Sequence, residues 1–246
     1  MKLKTLLTMK TIIIFLLSVF LISTAEAQNI DLRGATKTLE IAKVDGNLKY
    51  SDVKGTPYEN KDFLPGKIIF NSGKVLKNTK LRYNNYLNNF EYKEHGKIMI
   101  ISDGSNIKQI QYNNQNYHYG IYKTAKNKKK NVFFQLLNDG ACTLYKLNRI
   151  QYKSEHEPED PFDTYKPDRF ESSSPEYFLK FKDKKIAQHI ENHRKRKFAE
   201  LFDPHSSKML KFLRKANINP RDEDALIQAI KFYNINIYNE DKPGKD

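Results

Sequence analysis

From residue 64 onward, apolar and polar positions alternate in short runs separated by turn-forming pairs. Residues 67–71 lead into Ser72-Gly73. In 75–83, Val75, Thr79, Leu81 and Tyr83 fall on one face, while Leu76, Asn78, Lys80 and Arg82 fall mainly on the other. That period of two is the mark of a half-buried strand. Asn88-Asn89, His95-Gly96 and Asp103-Gly104 bound two further runs, 90–93 and 97–101. Asn113-Asn114 lies between 107–112 and 117–123, and Asn138-Asp139-Gly140 between 131–137 and 142–152, each with the chemistry of a hairpin turn. Turns this closely spaced predict antiparallel pairing rather than βαβ units.

The period then changes. Residues 154–175 hold four prolines and three consecutive serines with few apolar residues, which predicts a linker or a strap pinned by Phe162, Tyr165 and Phe170. A last hairpin is expected from 177–181 and 185–190. Three short helices should follow. The first, near 194–202, would bury Phe198, Leu201 and Phe202. The second is expected after Ser206 and Ser207 as N-caps, with Met209, Leu210 and Leu213 inward. The third would start from Asn219 as cap and Pro220 as first residue, with Leu226, Ile227, Ile230 and Tyr233 on one face. The fold expected is α+β: an antiparallel β meander, as a twisted sheet or partly open barrel, and then a small three-helix part. Its segments would be 1–27, 28–63 (extended), 64–153 (β module), 154–175 (acidic linker) and 176–246 (hairpin and helices), with the tail from Glu240 frayed.

Residues 1–27 have the form of a cleavable export signal. Lys2, Lys4 and Lys10 form a basic start, residues 12–22 an apolar run broken only by Ser18, and Ala25 and Ala27 a small-x-small cleavage site before Gln28. Met9 is an alternative initiator. The apolar run is shorter than the roughly 20 residues of a spanning helix, and no later run is long enough, so no transmembrane helix is expected after cleavage. The single cysteine, Cys142, rules out an intramolecular disulfide and reads as a buried thiol beside Leu144.

The formal charge is +14 and unevenly spread. Residues 28–63 carry six charges of each sign, and 64–153 carry 16 basic against 4 acidic residues. The 154–175 stretch has 2 basic against 7 acidic residues, and 176–246 has 16 against 11. A composition rich in Lys, Asn, Ile and Tyr accounts for part of this without any partner. The rest is a candidate polyanion-facing surface, with Lys80, Arg82, Lys93, Lys126, Lys128, Lys129 and Lys130 as its binding residues. A second basic run is Arg194, Lys195, Arg196 and Lys197. In an exported protein the polyanion would be anionic lipid, lipopolysaccharide or acidic glycan rather than a specific nucleic acid.

Catalytic patterns are weak. His189, Glu191 and His193 give H-x-E-x-H, but a zinc-protease motif needs Glu directly after the first histidine, and the segment begins as a strand. The acidic run 155–163 lacks the spacing of a calcium loop. No catalytic residues, metal or cofactor are assigned.

The runs Gly55-Thr56-Pro57-Tyr58, Phe63-Leu64-Pro65-Gly66-Lys67 and Leu81-Arg82-Tyr83-Asn84 resemble those of a group of uncharacterised exported proteins of Bacteroidetes. The ending Lys211-Phe212-Leu213-Arg214-Lys215, with Glu223-Asp224-Ala225-Leu226-Ile227 and Tyr233-Asn234, is similar to theirs too. The resemblance implies export and lineage and carries no activity. The functional expectation is a non-enzymatic binding or scaffold protein of the envelope, periplasmic by preference. The alternatives are a polyanion-binding module, or a hydrolase without a recognisable motif. The expected partner is an envelope protein or an anionic envelope component.

Overall fold

The computed structural model describes residues 36–38, 43–44 and 48–238, apart from residues 95, 159 and 161. The expected export signal, residues 1–27, and the tail expected to fray from Glu240 lie outside the described residues. The described strands begin with β1 (Thr36–Thr38), β2 (Lys43–Val44), β3 (Leu48–Lys49), β4 (Leu64–Phe70), β5 (Val75–Asn84), β6 (Asn89–Glu94) and β7 (Lys97–Ile101). They continue with β8 (Ile107–Tyr112), β9 (Gln115–Lys123), β10 (Lys129–Asn138), β11 (Cys142–Lys153), β12 (Arg169–Phe181) and β13 (Ile186–His189). Three helices follow, α1 (Lys195–Glu200), α2 (Ser206–Lys215) and α3 (Glu223–Phe232), and α3 runs into a π-helical turn at Tyr233–Ile237. The fold is α+β.

Eleven strands form one sheet in the order β1-β7-β6-β5-β4-β8-β9-β10-β11-β12-β13, while β2 and β3 make a separate ribbon. The strand order departs from a simple meander where β1 pairs with β7 and where β8 pairs with β4 instead of β7. The sheet also closes on itself: Ile186 and Ala187 of β13 pair in parallel with Ile121 and Tyr122 of β9. Strands β9 to β13 therefore make a five-stranded ring, and β9 shares one edge between β8 and β13. Each strand of the ring sends side chains inward: Tyr122, Val132 and Phe134, Tyr145 and Leu147, Phe178, and Ala187. These fill the interior, as in other small barrels.

A second aromatic core lies on the other face of β10. Tyr83, Phe90, Tyr112, Tyr117 and Phe133 meet at centroid distances of 4.8–6.4 Å. Tyr83 Oη donates to the Phe133 carbonyl at 2.6 Å, and the Phe133 N–H donates to the Asn88 carbonyl at 3.1 Å, which ties the β5–β6 turn to β10. The return from β7 to β8 passes Gly104. A Cβ there would lie 2.6 Å from ring atoms of Tyr119 and Phe133, so only glycine allows this approach.

The helices pack on the outer face of β11 and β12 over Cys142, Leu144, Tyr177 and Leu179. Asn234, in the π-helical turn, fixes them in place. It accepts from the Cys142 N–H (2.8 Å) and donates to the Cys142 carbonyl (2.9 Å) and to Asn138 Oδ1 (3.1 Å).

Four local expectations are corrected. Asn78 takes a left-handed backbone (φ 55°) at a bulge where the register shifts from Gly66↔Thr79 to Ile68↔Leu76, so Leu76 rather than Val75 is buried. The paired strand β12 already runs through residues 169–175, against 149–153 of β11, so the connecting segment is only 154–168. Within it, His156 and Lys166 pair as a small hairpin; Phe162 is 98% exposed, and of the three proposed pinning rings only Phe170 is buried. Neither Ser206, Ser207 nor Asn219 caps a helix: α2 starts after His205 and α3 after Asp222, and the Asn219 carbonyl accepts from Asp222 in a turn before α3.

Candidate functional site

The predicted basic residues separate into two groups. Lys80, Arg82 and Lys93 lie on β5 and β6, next to the Leu81↔Tyr92 and Arg82↔Glu91 pairs. Arg82 is engaged in internal contacts. Its Nε and Nη2 donate to Glu91 Oε2 at 3.1 and 2.5 Å, and Nη1 donates to the Lys61 carbonyl at 3.1 Å. Its guanidinium also lies 3.6 Å from the Tyr58 ring centroid and 4.3 Å from that of Phe63. Glu91 is 1% exposed, and its other oxygen accepts from Asn84 Nδ2. A buried carboxylate requires such a partner, so three of the five guanidinium N–H groups of Arg82 are spent on holding the fold. Lys93 leans on the Phe63 ring with Nζ 4.8 Å away, while Lys80 is exposed.

Lys126, Lys128, Lys129 and Lys130 stay together on the β9–β10 hairpin, where Lys129 pairs with Lys123 and Lys130 with Tyr122. The turn is well tied. Thr124 N–H donates to the Lys128 carbonyl (2.9 Å), Asn127 N–H to the Thr124 carbonyl (2.8 Å), and Lys128 N–H to Thr124 Oγ1 (3.2 Å). Asn127 takes the left-handed backbone, φ 57°. With Lys123, the turn presents five exposed lysines. No ion pair among the described residues involves any of them.

This hairpin forms one wall of a groove of about 580 Å³, with β13 as its floor and α1 as the opposite wall. Its polar lining includes Lys123, Asn127, Gln188, His189, Glu191, Asn192, Lys197 and Glu200. The second basic run thus faces the first across one groove, but its charges are largely answered locally. Lys197 pairs with Glu200 at 2.9 Å, Arg196 with Glu200 at 3.6 Å, and Lys195 donates to Asn217 Oδ1 at 3.3 Å. The uncompensated positive charge is on the hairpin wall.

The ring closure builds the floor. His189 lies against Phe178 with centroids 4.9 Å apart, and desolvation lowers its pKa, partly opposed by Glu176 and Glu191. Behind it, Arg149 Nη2 donates to Glu176 and, at 3.1 Å, to Tyr122 Oη. The floor thus carries one imidazole, that of His189. Sequence offers His189 only within H-x-E-x-H and does not offer Arg149, because pairing across β11, β12 and β13 is what brings them together.

Other candidate chemistry is dispersed. His189 lies in a strand and His193 beyond it, where Nδ1–H donates to the Pro220 carbonyl, so the two do not share a helix face. Among the described residues no three His, Cys, Asp or Glu side chains converge as metal ligands. Cys142 is fully buried, and desolvation raises its thiol pKa far above the ordinary range. In the acidic segment, Asp168 Oδ1 accepts from Tyr152 Oη and from the Glu155 N–H, and His156 pairs with Asp163, so these carboxylates serve a local hairpin. No helix of the described residues is long and apolar enough to cross a membrane.

No protein-family model, curated protein or solved structure matches this chain.

Proposed function

We propose that the chain is an exported, non-enzymatic binding protein of the envelope that holds an acidic glycan along the β9–β10 hairpin and the groove beneath it. The observation that carries this reading is the hairpin itself: five exposed lysines, none ion-paired among the described residues, on a hydrogen-bonded turn beside a polar groove. The lysines supply long-range attraction to anionic groups. The carboxylates and amides of the groove, Glu191, Gln188, Asn127 and Asn192, accept and donate hydrogen bonds in the manner sugar hydroxyls require. Simple polyanion attraction accounts for the hairpin alone; the mixed lining favours a ligand bearing both anionic and hydroxyl groups. The filled interior of the ring points to a surface site rather than an enclosed one.

The basic start, apolar run and small-x-small site of residues 1–27 support export, and the resemblance to exported Bacteroidetes proteins supports the same compartment, the periplasm by preference. The test is capture from envelope extract with the exported protein immobilised, at low and moderate salt, with analysis of retained glycan, lipid and protein. The reading expects acidic glycan, lost on mutation of Lys126, Lys128, Lys129 and Lys130 to Gln. Retention of a protein alone, unchanged by that mutation, would overturn it.

A further inference from the structure

The α2 helix carries a second basic surface of different chemistry. Its inward stripe, Met209 and Leu213, is buried in the core. On its outer edge Lys208, Lys211 and Lys215 are exposed, and Phe212 lies between them. The Phe212 ring stacks face to face on Phe232 of α3, with centroids 3.7 Å apart and planes 1° from parallel. These residues line a shallow groove of about 600 Å³ that reaches Ile237 in the π-helical turn. Every charged residue of its lining is a lysine.

An apolar floor whose border is three lysines and Asn236 calls for an amphiphilic, anionic partner. The spacing narrows this further. Lys208 and Lys215 are seven residues apart, about 10 Å along the helix, which spaces the lysines so that each can meet its own group in a row of anionic headgroups. Lysine stems lie along apolar surface while their ammonium groups reach outward, and clustered lysines near a bilayer are drawn to its anionic headgroups. We propose that this face of α2 and the π-helical turn docks on an anionic phospholipid surface, with the lysines on phosphates and the Phe212–Phe232 pair against the acyl boundary. This goes beyond the glycan reading and uses none of its residues.

The experiment is co-sedimentation of the exported protein with phosphatidylcholine vesicles, with and without phosphatidylglycerol. Binding is expected only to the vesicles containing phosphatidylglycerol. Replacing Lys211 and Lys215 by Gln should lower partitioning about fivefold per lysine, with the circular dichroism spectrum unchanged because both side chains are exposed. A hairpin variant, K128Q/K129Q/K130Q, should bind vesicles as the parent does. Equal binding to both vesicle types, no binding to either, or loss with the hairpin variant instead of the α2 variant would each overturn the proposal. Glycan capture, measured on the same three proteins, should fall with the hairpin variant and not with the α2 variant, so failure of either proposal is seen separately.

Discussion

Phe133 and Phe134 are consecutive residues of β10 that fill opposite cores: Phe133 packs on Phe90 and Tyr119, whereas Phe134 packs on Tyr145 and Phe178. Strand geometry sends neighbouring side chains to opposite faces, and here both faces are buried. One strand is thereby common to the ring of β9 to β13 and to the sheet before it.

Truncation of either ring should be costly and should be felt by both cores. Phe133→Ala and Phe134→Ala are each expected to destabilise by about 3–5 kcal/mol. Urea unfolding followed by tyrosine fluorescence and by far-ultraviolet circular dichroism should remain a single coincident transition in both variants. Two separated transitions would show that the cores fold independently.

Arg82 should affect stability and leave ligand capture unchanged. Arg82→Ala strands Glu91, which is 1% exposed, and should cost about 3–5 kcal/mol. Replacing both residues by apolar ones of similar volume should recover most of that loss, which chemical denaturation of the single and double variants will measure.

The turn residues were legible from sequence because their chemistry is local. Asn88, Asn113 and Asn114 adopt the positive φ that hairpin turns demand, as do Gly73 and Gly96. The ring was not legible. Its closure depends on two parallel pairs between residues 65 positions apart, Ile186 with Ile121 and Ala187 with Tyr122, and no local pattern encodes that. Residues 171–173 read as a linker because their alternating signal is absent; they are held as strand by backbone pairing to β11, with exposed side chains. The lysine hairpin was legible as a charge cluster. The groove was not, since its other wall comes from α1. Arg82 misled because its partner Glu91 is nine residues away, across a hairpin.

The helical layer should loosen when Asn234 is changed. Asn234→Ala leaves the Cys142 N–H and carbonyl at the end of β11 without their partner and should cost about 1–3 kcal/mol. Gly140→Ala should disturb the same joint, because a Cβ there would lie 2.4 Å from the Asn234 amide nitrogen. Hydrogen exchange should report faster exchange in α3 in both variants, with the interior of the ring less affected.

Acid should weaken the fold through two half-buried imidazoles. Desolvation lowers the pKa values of His118 and His189 below the ordinary 6.5. The folded protein then keeps these rings neutral while the unfolded chain takes up protons. Their contribution is full above about pH 6.5 and is lost as pH falls through that value toward the folded pKa. The urea midpoint should fall between about pH 7.5 and 5.5, and His189→Asn should reduce that dependence.

Surface lysines are different. The K126Q/K128Q/K129Q/K130Q variant should unfold within about 0.5 kcal/mol of the parent per site, as exposed substitutions usually do. That allows it to serve as a probe of binding alone.

The most direct test of the account is the salt dependence of binding to a defined acidic polysaccharide, measured by calorimetry for the parent and this lysine variant. The account predicts that parent affinity falls steeply as salt rises, and that the variant binds more weakly with a shallower log–log slope. Affinity independent of salt, or identical slopes for the two proteins, would contradict it.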